Sequence, residues 1–478
     1  MKLYNTLSKQ KETFTPLSAK KVGMYHCGPT VYWTQHIGNM RAVVMADLIK
    51  RSLEYLDYDV TLVRNYTDVG HLTGDNEGDA DTGEDRMSKA AQRENVDPMV
   101  IAKKYIDIYE QDRTALNTLS PEYSPCATNH IQEMIEMVQT LINKGFAYNT
   151  DLAIYFDVTK KEDYTKLSGQ KIEEQIKDAG HGSVSDPQKK NTQDFALWFF
   201  KAGSHTHALQ TWKSPFQSSL VENGEGFPGW HIECSAMSKK YLGDSFDIHM
   251  GGIEHIPIHH TNEIAQSESA TGKPMSTYWV HNEHLSVNGG KMSKSEGTSY
   301  TLQDILEKGY SALDVRYFFL QAHYRSKQNF TWESLDASRT ALNKIYRDII
   351  FLRNKSTQNS GVMDVSFKDD FIQKISDDIN IPQALAVFHT MMKSDIPDAN
   401  KLATAYDFDK VLGLNLSHYQ EEQIPIPSEI QEILDKRKIA RETKDFETSD
   451  ILRDTLREKG YQVSDVGNEQ KIEKIKNT

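Results

Sequence analysis

The sequence predicts an α/β front half followed by an almost entirely helical back half. Three observations carry that reading. Val22-Gly23-Met24-Tyr25-His26-Cys27 is a short apolar run that stops at Gly28-Pro29, as a buried strand would. After His36-Ile37-Gly38-Asn39, apolar residues recur at helical spacing at Val43, Val44, Ala46, Leu48, Ile49, Leu53 and Leu56, and the stretch from Val60 to Tyr66 reads as a second strand. Beyond Thr331 the pattern is helical almost to the end of the chain, with a break at Ile424-Pro425-Ile426-Pro427 that marks a domain boundary.

Strand, loop, helix, strand is a βαβ unit. It favours a parallel sheet with ligands at the carboxyl ends of its strands. Gly74 to Arg86 is acidic and contains glycine. Read as a calcium loop from Asp75, it has Ala80 where glycine is needed and Arg86 where glutamate is needed, so it is expected to be a solvated surface loop. Pro121 to Tyr148 contains a strongly helical stretch. From about 160 to 225 the pattern is mixed, and the polar segment from Lys177 to Thr192 reads as a mobile connection. There are no internal repeats.

At roughly 150 residues per domain, 478 residues suggest about three domains. Apolar residues make up 38% and charged residues 26%, which excludes a disordered chain. No window approaches ~18 uninterrupted apolar residues, so a membrane span is not expected. The N-terminus has no apolar run, so no secretory signal is expected. Three cysteines are too few for a disulfide framework, which points to a reduced, cytoplasmic protein. The net charge is 55 − 68 = −13. From Glu429 onward 11 basic and 12 acidic residues leave −1, so phosphate contact is least opposed there. Lys436-Arg437-Lys438 and Arg441 are the cations of that segment on a predicted helix; the same cluster also suits a solvated helix face.

Three constellations could carry chemistry. Seven of the 17 histidines fall within the 54 residues from His231 to His284. In His259-His260-Thr261-Asn262-Glu263, the i to i+4 spacing puts His259 and Glu263 on one helix face, and Cys234 lies just upstream. Thiolate, imidazole and carboxylate are suitable zinc ligands, although the same spacing also suits a hydrogen-bonded surface pair. His205 and His207 have no cysteine nearby and are expected to be solvated. The second constellation is Gly289-Gly290-Lys291-Met292-Ser293-Lys294-Ser295-Glu296-Gly297, a donor-rich loop able to close on a polyphosphate, or simply a basic turn; it lacks the P-loop order. The third is His36-Ile37-Gly38-Asn39 at a helix start, where free N–H groups could meet an anion, or which could be a plain helix cap. Gly38 would let a nucleotide approach the backbone.

Together these residues resemble the class I aminoacyl-tRNA synthetases. His36 to Asn39 looks like the family's HIGH signature, and Lys291 to Ser295 matches KMSKS without a mismatch. The closer resemblance is to the cysteinyl-tRNA synthetases. It rests on Gly23 to Tyr32, Arg64 to Asp68, Gly229 to Met237, Phe246 to His249, His259 to Gln266 and Ala322 to Ser326, and runs over nearly the whole chain.

The resemblance implies a split Rossmann-like catalytic domain over 1–120 and 226–275, and a connective insertion over 121–225. It further implies a KMSKS-loop junction over 276–330, an all-α helical bundle over 331–422 and a small anticodon-binding module over 423–478. It implies one Zn²⁺ per chain held by Cys27, Cys234, His259 and Glu263, with Cys126 left as an ordinary cysteine. Thr67 and Trp230 would line the amino-acid pocket. His36, Asn39, Lys291 and Lys294 would be catalytic, and His36, Gly38, Asn39 and Lys294 would bind ATP, which enters with Mg²⁺. The activity implied is ATP-dependent ligation of L-cysteine to its tRNA through cysteinyl-adenylate, by a cytoplasmic monomer without an editing domain. Two departures stand out. The signature reads HIGN, so Asn39 keeps a donor but cannot become cationic. Glu296-Gly297-Thr298 stands where the family usually has Leu-Gly-Asn. The rival readings are a mycothiol-type ligase joining cysteine to a small amine, and a catalytically idle RNA-binding relative.

Overall fold

The computed structural model describes residues 1–70, 86–170, 186–293, 297–356, 361–420, 427–466 and 469–474. Most of the acidic loop from Gly74, part of the polar connection from Lys177, and Lys294 lie outside them. The chain divides into two compact units, Met1–Gln303 with Ser311–Leu416, and Asp304–Tyr310 with Ser417–Thr478.

The first unit is built on a four-stranded parallel sheet in the order Ser276–Asn282, Phe246–Gly252, Lys21–His26, Asp59–Arg64. All seven residues of Phe246–Gly252 are buried, as a central parallel strand covered on both faces requires. The helix Ile37–Tyr55 connects one outer pair of strands and His259–Thr271 the other. The two crossovers leave in opposite directions from the neighbouring strands Lys21–His26 and Phe246–Gly252. That junction is a topological switch point, where α/β folds bind ligands beyond the carboxyl ends of the strands.

Between the two halves of the sheet the chain forms the helix Ile131–Asn143 and a four-stranded antiparallel sheet of Ala147–Asn149, Ala153–Phe156, Phe195–Phe200 and Gly226–Pro228. This layer shares one core with the parallel sheet, in which Val138, Phe156 and Trp198 join Tyr25, Ile264 and Trp279. His205, expected to be solvated, is 4% exposed and packs its ring against Phe199 and Phe227 at 5.0 and 5.3 Å. The turn after Ala202 folds it back onto the antiparallel sheet; His207 is exposed as expected.

The helices Ala312–Leu320, Trp332–Lys355, Val365–Ile375, Ile381–Lys393 and Asp398–Leu412 follow. Capping boxes start the first two, at Ser311 with Asp314 and at Thr331 with Ser334. Buried Arg316 fixes them to the front half: its Nη2 donates to Asp47 at 2.7 Å and its Nε to Leu412 O at 2.7 Å.

The second unit contains the helices Ser428–Glu442 and Phe446–Glu458 over a small core of Ile430, Leu434, Leu456, Tyr461 and Val463. Its end is not helical. Tyr461–Val466 and Glu469–Lys474 pair as an antiparallel hairpin, announced by Gly460 (φ +83°) and by the apolar–polar alternation Tyr461-Gln462-Val463. Arg437 falls seven residues after Ile430, on the packed face. It is buried and donates to Asp465 at 2.8 and 2.9 Å and to Gln470 at 2.6 Å. Arg441 also pairs with Asp465. Of the four cations in this cluster, Lys436 and Lys438 are exposed. Among the described residues no helix is long and apolar enough to cross a membrane.

Candidate active site

The carboxyl ends of the two central strands carry the first group. Cys27 follows Lys21–His26, and its N–H donates to Met250 O at 3.1 Å. Gly28 is required here: a Cβ would collide with Asn65 O, and the close approach lets Gly28 N donate to Asn65 Oδ1 at 2.9 Å. Cys234 sits one turn into the helix Trp230–Leu242, and His259 and Glu263 share a face of His259–Thr271. Cys27 Sγ lies 3.8 Å from Cys234 Sγ and 3.7 Å from Glu263 Oε1, and His259 Nε2 lies 3.0 Å from the same oxygen. Cys234, His259 and Glu263 are each at most 2% exposed.

One donor atom from each of these four residues falls within 4.8 Å of all the others. Bonds of about 2.0–2.3 Å to one ion would span such a set. Glu263 Oε2 is buried with His249 Nε2 3.3 Å away but without a well-formed hydrogen bond, which is costly for a carboxylate unless a cation meets it. Burial pushes Glu263 up, but His249 and His259 beside it hold it well below the usual carboxylate range. Burial likewise opposes a charged His259, yet Glu263 and Cys234 raise it to about 10. Burial, then Cys234 and Glu263, push the Cys27 thiol up. A divalent ion would remove that crowding by taking both sulfurs as thiolates. His259 is oriented for the task by His231, whose Nδ1 is 2.9 Å from its own Nδ1.

A second set shares Cys27 and Glu263 but substitutes His249 and His260. Their Nε2 atoms are 3.6 and 3.4 Å from Cys27 Sγ. His260 Nδ1 contacts His281 Nε2 at 2.7 Å, and His281 Nδ1 contacts Thr6 Oγ1 at 2.8 Å, a relay that aims His260 Nε2 at the cluster. Sequence reading singled out neither His249 nor His260 as a donor, although the density of histidines was the signal for both.

Thr67 and Trp230 both border the cluster. Thr67 Oγ1 donates to Glu233 Oε2 at 2.8 Å, next to Cys234 in the chain, and Asn65 Nδ2 donates to Thr67 Oγ1 at 3.3 Å. The Trp230 ring lies 4.1 Å from the His259 ring. Neither Asn65 nor Glu233 was singled out from the sequence.

The second group joins the two signatures. His36 caps the helix Ile37–Tyr55: its Nδ1 accepts from Asn39 N at 3.2 Å. That bond places the ring proton on Nε2. Ile37 N donates to Tyr300 O at 2.8 Å, and His36 bridges Thr301. Gly38 lies under Met292, whose Cε a Cβ at Gly38 would strike. Asn39 and Lys291 are exposed. Ser293 N donates to Thr298 Oγ1 at 2.9 Å and Thr298 N to Ser293 O at 3.0 Å, closing the neck of the loop with the residue that departs from the family's asparagine.

Residues 13–340 match the family model for tRNA synthetases class I (C) catalytic domain, and residues 425–472 match the cysteinyl-tRNA ligase anticodon binding domain. The chain belongs to the cysteinyl-tRNA synthetase family. Within it, the chain is 42% identical over 471 residues to cysteine–tRNA ligase 1 of Burkholderia lata, covering 98% of this chain and 96% of that one. It is 39% identical over 494 residues to the cysteine–tRNA ligase of Treponema denticola, covering 97% and 98%. Among solved structures, the fold is similar to methionyl-tRNA synthetase of Mycobacterium tuberculosis with methionyl-adenylate, at 14% identity and TM-score 0.55, covering 82% of this chain and 90% of that one. It is also similar to the LeuRS–tRNA–LeuAMS complex of Agrobacterium radiobacter, at 12% and 0.58, covering 85% and 86%.

Proposed function

We propose that this chain ligates L-cysteine to its tRNA in the cytoplasm, in two steps that consume ATP. The observation that carries the reading is the buried cluster of two thiols, an imidazole and a carboxylate at the switch point of a class I synthetase sheet. Cys27, Cys234, His259 and Glu263 would hold zinc, which when bound supplies a soft Lewis acid that prefers a thiolate to a hydroxyl. Serine lacks the thiol, so discrimination on the order of 10⁴ to 10⁵ is available at binding, and no hydrolytic editing is needed. Thr67 and Trp230 would line the amino-acid pocket.

In the first step an oxygen of the cysteine carboxylate attacks the α-phosphorus of ATP. The bond to the bridging oxygen breaks and pyrophosphate leaves with its Mg²⁺. His36 is held as the Nε2–H tautomer by its bond to Asn39 N, so it offers the phosphates a neutral donor. Asn39 adds a second donor at the positive end of the helix. Lys291 and Lys294 supply positive charge that counts most as phosphoryl charge develops. In the second step the terminal adenosine's 2′-hydroxyl attacks the cysteinyl carbonyl, forming the ester and releasing AMP.

The small-amine ligase would share the cluster and both signatures but has no use for an anticodon-binding domain at 425–472. The separating experiment supplies cysteine and ATP with either tRNA or a small amine such as an amino sugar. Base-labile cysteinyl ester on tRNA, with no stable amide, is expected. Amide formation with uncharged tRNA would overturn the reading.

A further inference from the structure

We propose that Arg41 is a positioning residue that sets the KMSKS arm against the HIGN helix, and so governs the rate of adenylate formation. The inference rests on the reading of Lys291 as catalytic.

Arg41 lies four residues into the helix that His36 caps, and it is 0% exposed. A guanidinium in such a place ordinarily needs a carboxylate. Among the described residues no carboxylate lies within ion-pair distance of Arg41, although burial lowers its pKa and the Glu283 charge partly offsets that from further away. It donates instead to four neutral acceptors: Nε to Gln328 Oε1 at 3.1 Å, Nη1 to Glu283 O, and Nη2 to His323 O at 3.2 Å and Ser326 O at 2.9 Å.

These acceptors share one location. Glu283 lies two residues before Leu285–Val287, the strand that leads into Gly289-Gly290-Lys291. Ser326 and Gln328 lead into and open Gln328–Phe330, which pairs in parallel with that strand. Glu283 N also donates to Tyr324 O at 2.8 Å, and Gly289 N to Asn329 Oδ1 at 2.7 Å, so the two segments form one rigid arm. Arg41 grips the base of the arm, and Met292 near its tip rests on Gly38, one turn before Arg41. One planar fork therefore fixes the arm to the helix whose N-terminus must share the phosphates with Lys291. Lysine cannot reproduce it, because an ammonium is a point donor rather than a planar fork.

The test is a double-mutant cycle in full-length, metal-loaded protein, read by ATP–pyrophosphate exchange. Arg41→Lys and Arg41→Gln should each slow kcat by about 10²-fold while the KM for cysteine and the metal content stay within about threefold. In a Lys291→Ala background the same substitutions should slow kcat much less, by no more than about tenfold, because one of the two charges assigned to the loop is already gone. An equal loss in both backgrounds, or a raised cysteine KM with kcat unchanged, would overturn the proposal. If the Arg41 variants do not fold, Gln328→Leu decides by the same comparison, with an expected loss of about fivefold that shrinks to about twofold beside Lys291→Ala. A Lys291→Ala enzyme with unimpaired exchange would instead defeat the catalytic reading of the loop.

Discussion

The side chain of Met292 rests on Gly38, where an added Cβ would come within 2.3 Å of Met292 Cε and 3.0 Å of the His36 ring, so that the methionine would have to shift. The glycine of one signature is thus shaped by the methionine of the other. The need for a close backbone approach at Gly38 is met partly by the protein itself. Gly38→Ala should disturb the loop as well as the nucleotide. Its exchange rate should fall by at least about tenfold, while the metal content of the purified protein is unchanged; loss of metal would contradict this separation of the two groups.

The two donor sets make different mutational patterns. Cys27 and Glu263 belong to both, Cys234 and His259 to one, His249 and His260 to the other. If zinc takes the set with two thiols, Cys234→Ser and His259→Gln should lose most of the metal and most cysteine affinity, whereas His249→Gln and His260→Gln should retain about one zinc per folded chain. Elemental analysis of the four variants checks this. The reverse pattern would move the ion to the histidine-rich set.

On the proposed mechanism Lys291 acts on the transition state rather than on ground-state binding. Lys291→Ala should slow adenylate formation by ~10² or more with cysteine binding nearly intact. Rapid-quench kinetics separates the two; a purely weakened cysteine Kd would count against the assignment.

His205 gives a pH signature. Burial lowers its pKa to about 4 in the folded protein, against an ordinary value near 6.5. The unfolded chain therefore binds the proton first as pH falls. Stability from this group is intact above about pH 6.5 and is lost progressively down to about pH 4, on the order of 2 kcal/mol by pH 5. His205→Phe, between Phe199 and Phe227, should lose less thermal stability between pH 7.5 and pH 5 than the parent. Equal losses in both proteins would show that His205 does not titrate in this way.

The C-terminal unit should matter for RNA and not for activation. Ending the chain at Glu422 should leave pyrophosphate exchange largely unchanged and weaken tRNA charging by roughly one to two orders of magnitude at sub-saturating tRNA, because contacts of ~1 to 3 kcal/mol each would go. With Arg437 and Arg441 occupied by Asp465, Lys436→Ala and Lys438→Ala should each reduce the salt dependence of charging more than Arg437→Ala does among folded variants. A larger change of slope at Arg437 would contradict the internal role of that side chain.

The βαβ unit was legible because Val22 to Cys27 and Val60 to Tyr66 are apolar runs bounded by turn residues, and local pattern suffices for such runs. His259, Glu263 and nearby Cys234 were candidate ligands from spacing, but Cys27 was legible only through resemblance, since it is 207 residues from Cys234 and no local spacing reports that closure. His249 and His260 escaped because a buried strand and a helix bring them in from separate segments. His205 misled because a loop of polar composition can still fold one ring onto an aromatic sheet. The terminal hairpin was missed because its two strands are only six residues each and follow directly on a helix.

ATP–pyrophosphate exchange driven by cysteine, measured with and without tRNA and repeated with serine, tests the central claim most directly. The account predicts exchange that requires cysteine, proceeds without tRNA, and falls by about 10⁴ or more when serine replaces cysteine. Exchange that runs equally well with serine, or that does not depend on the amino acid at all, would contradict it.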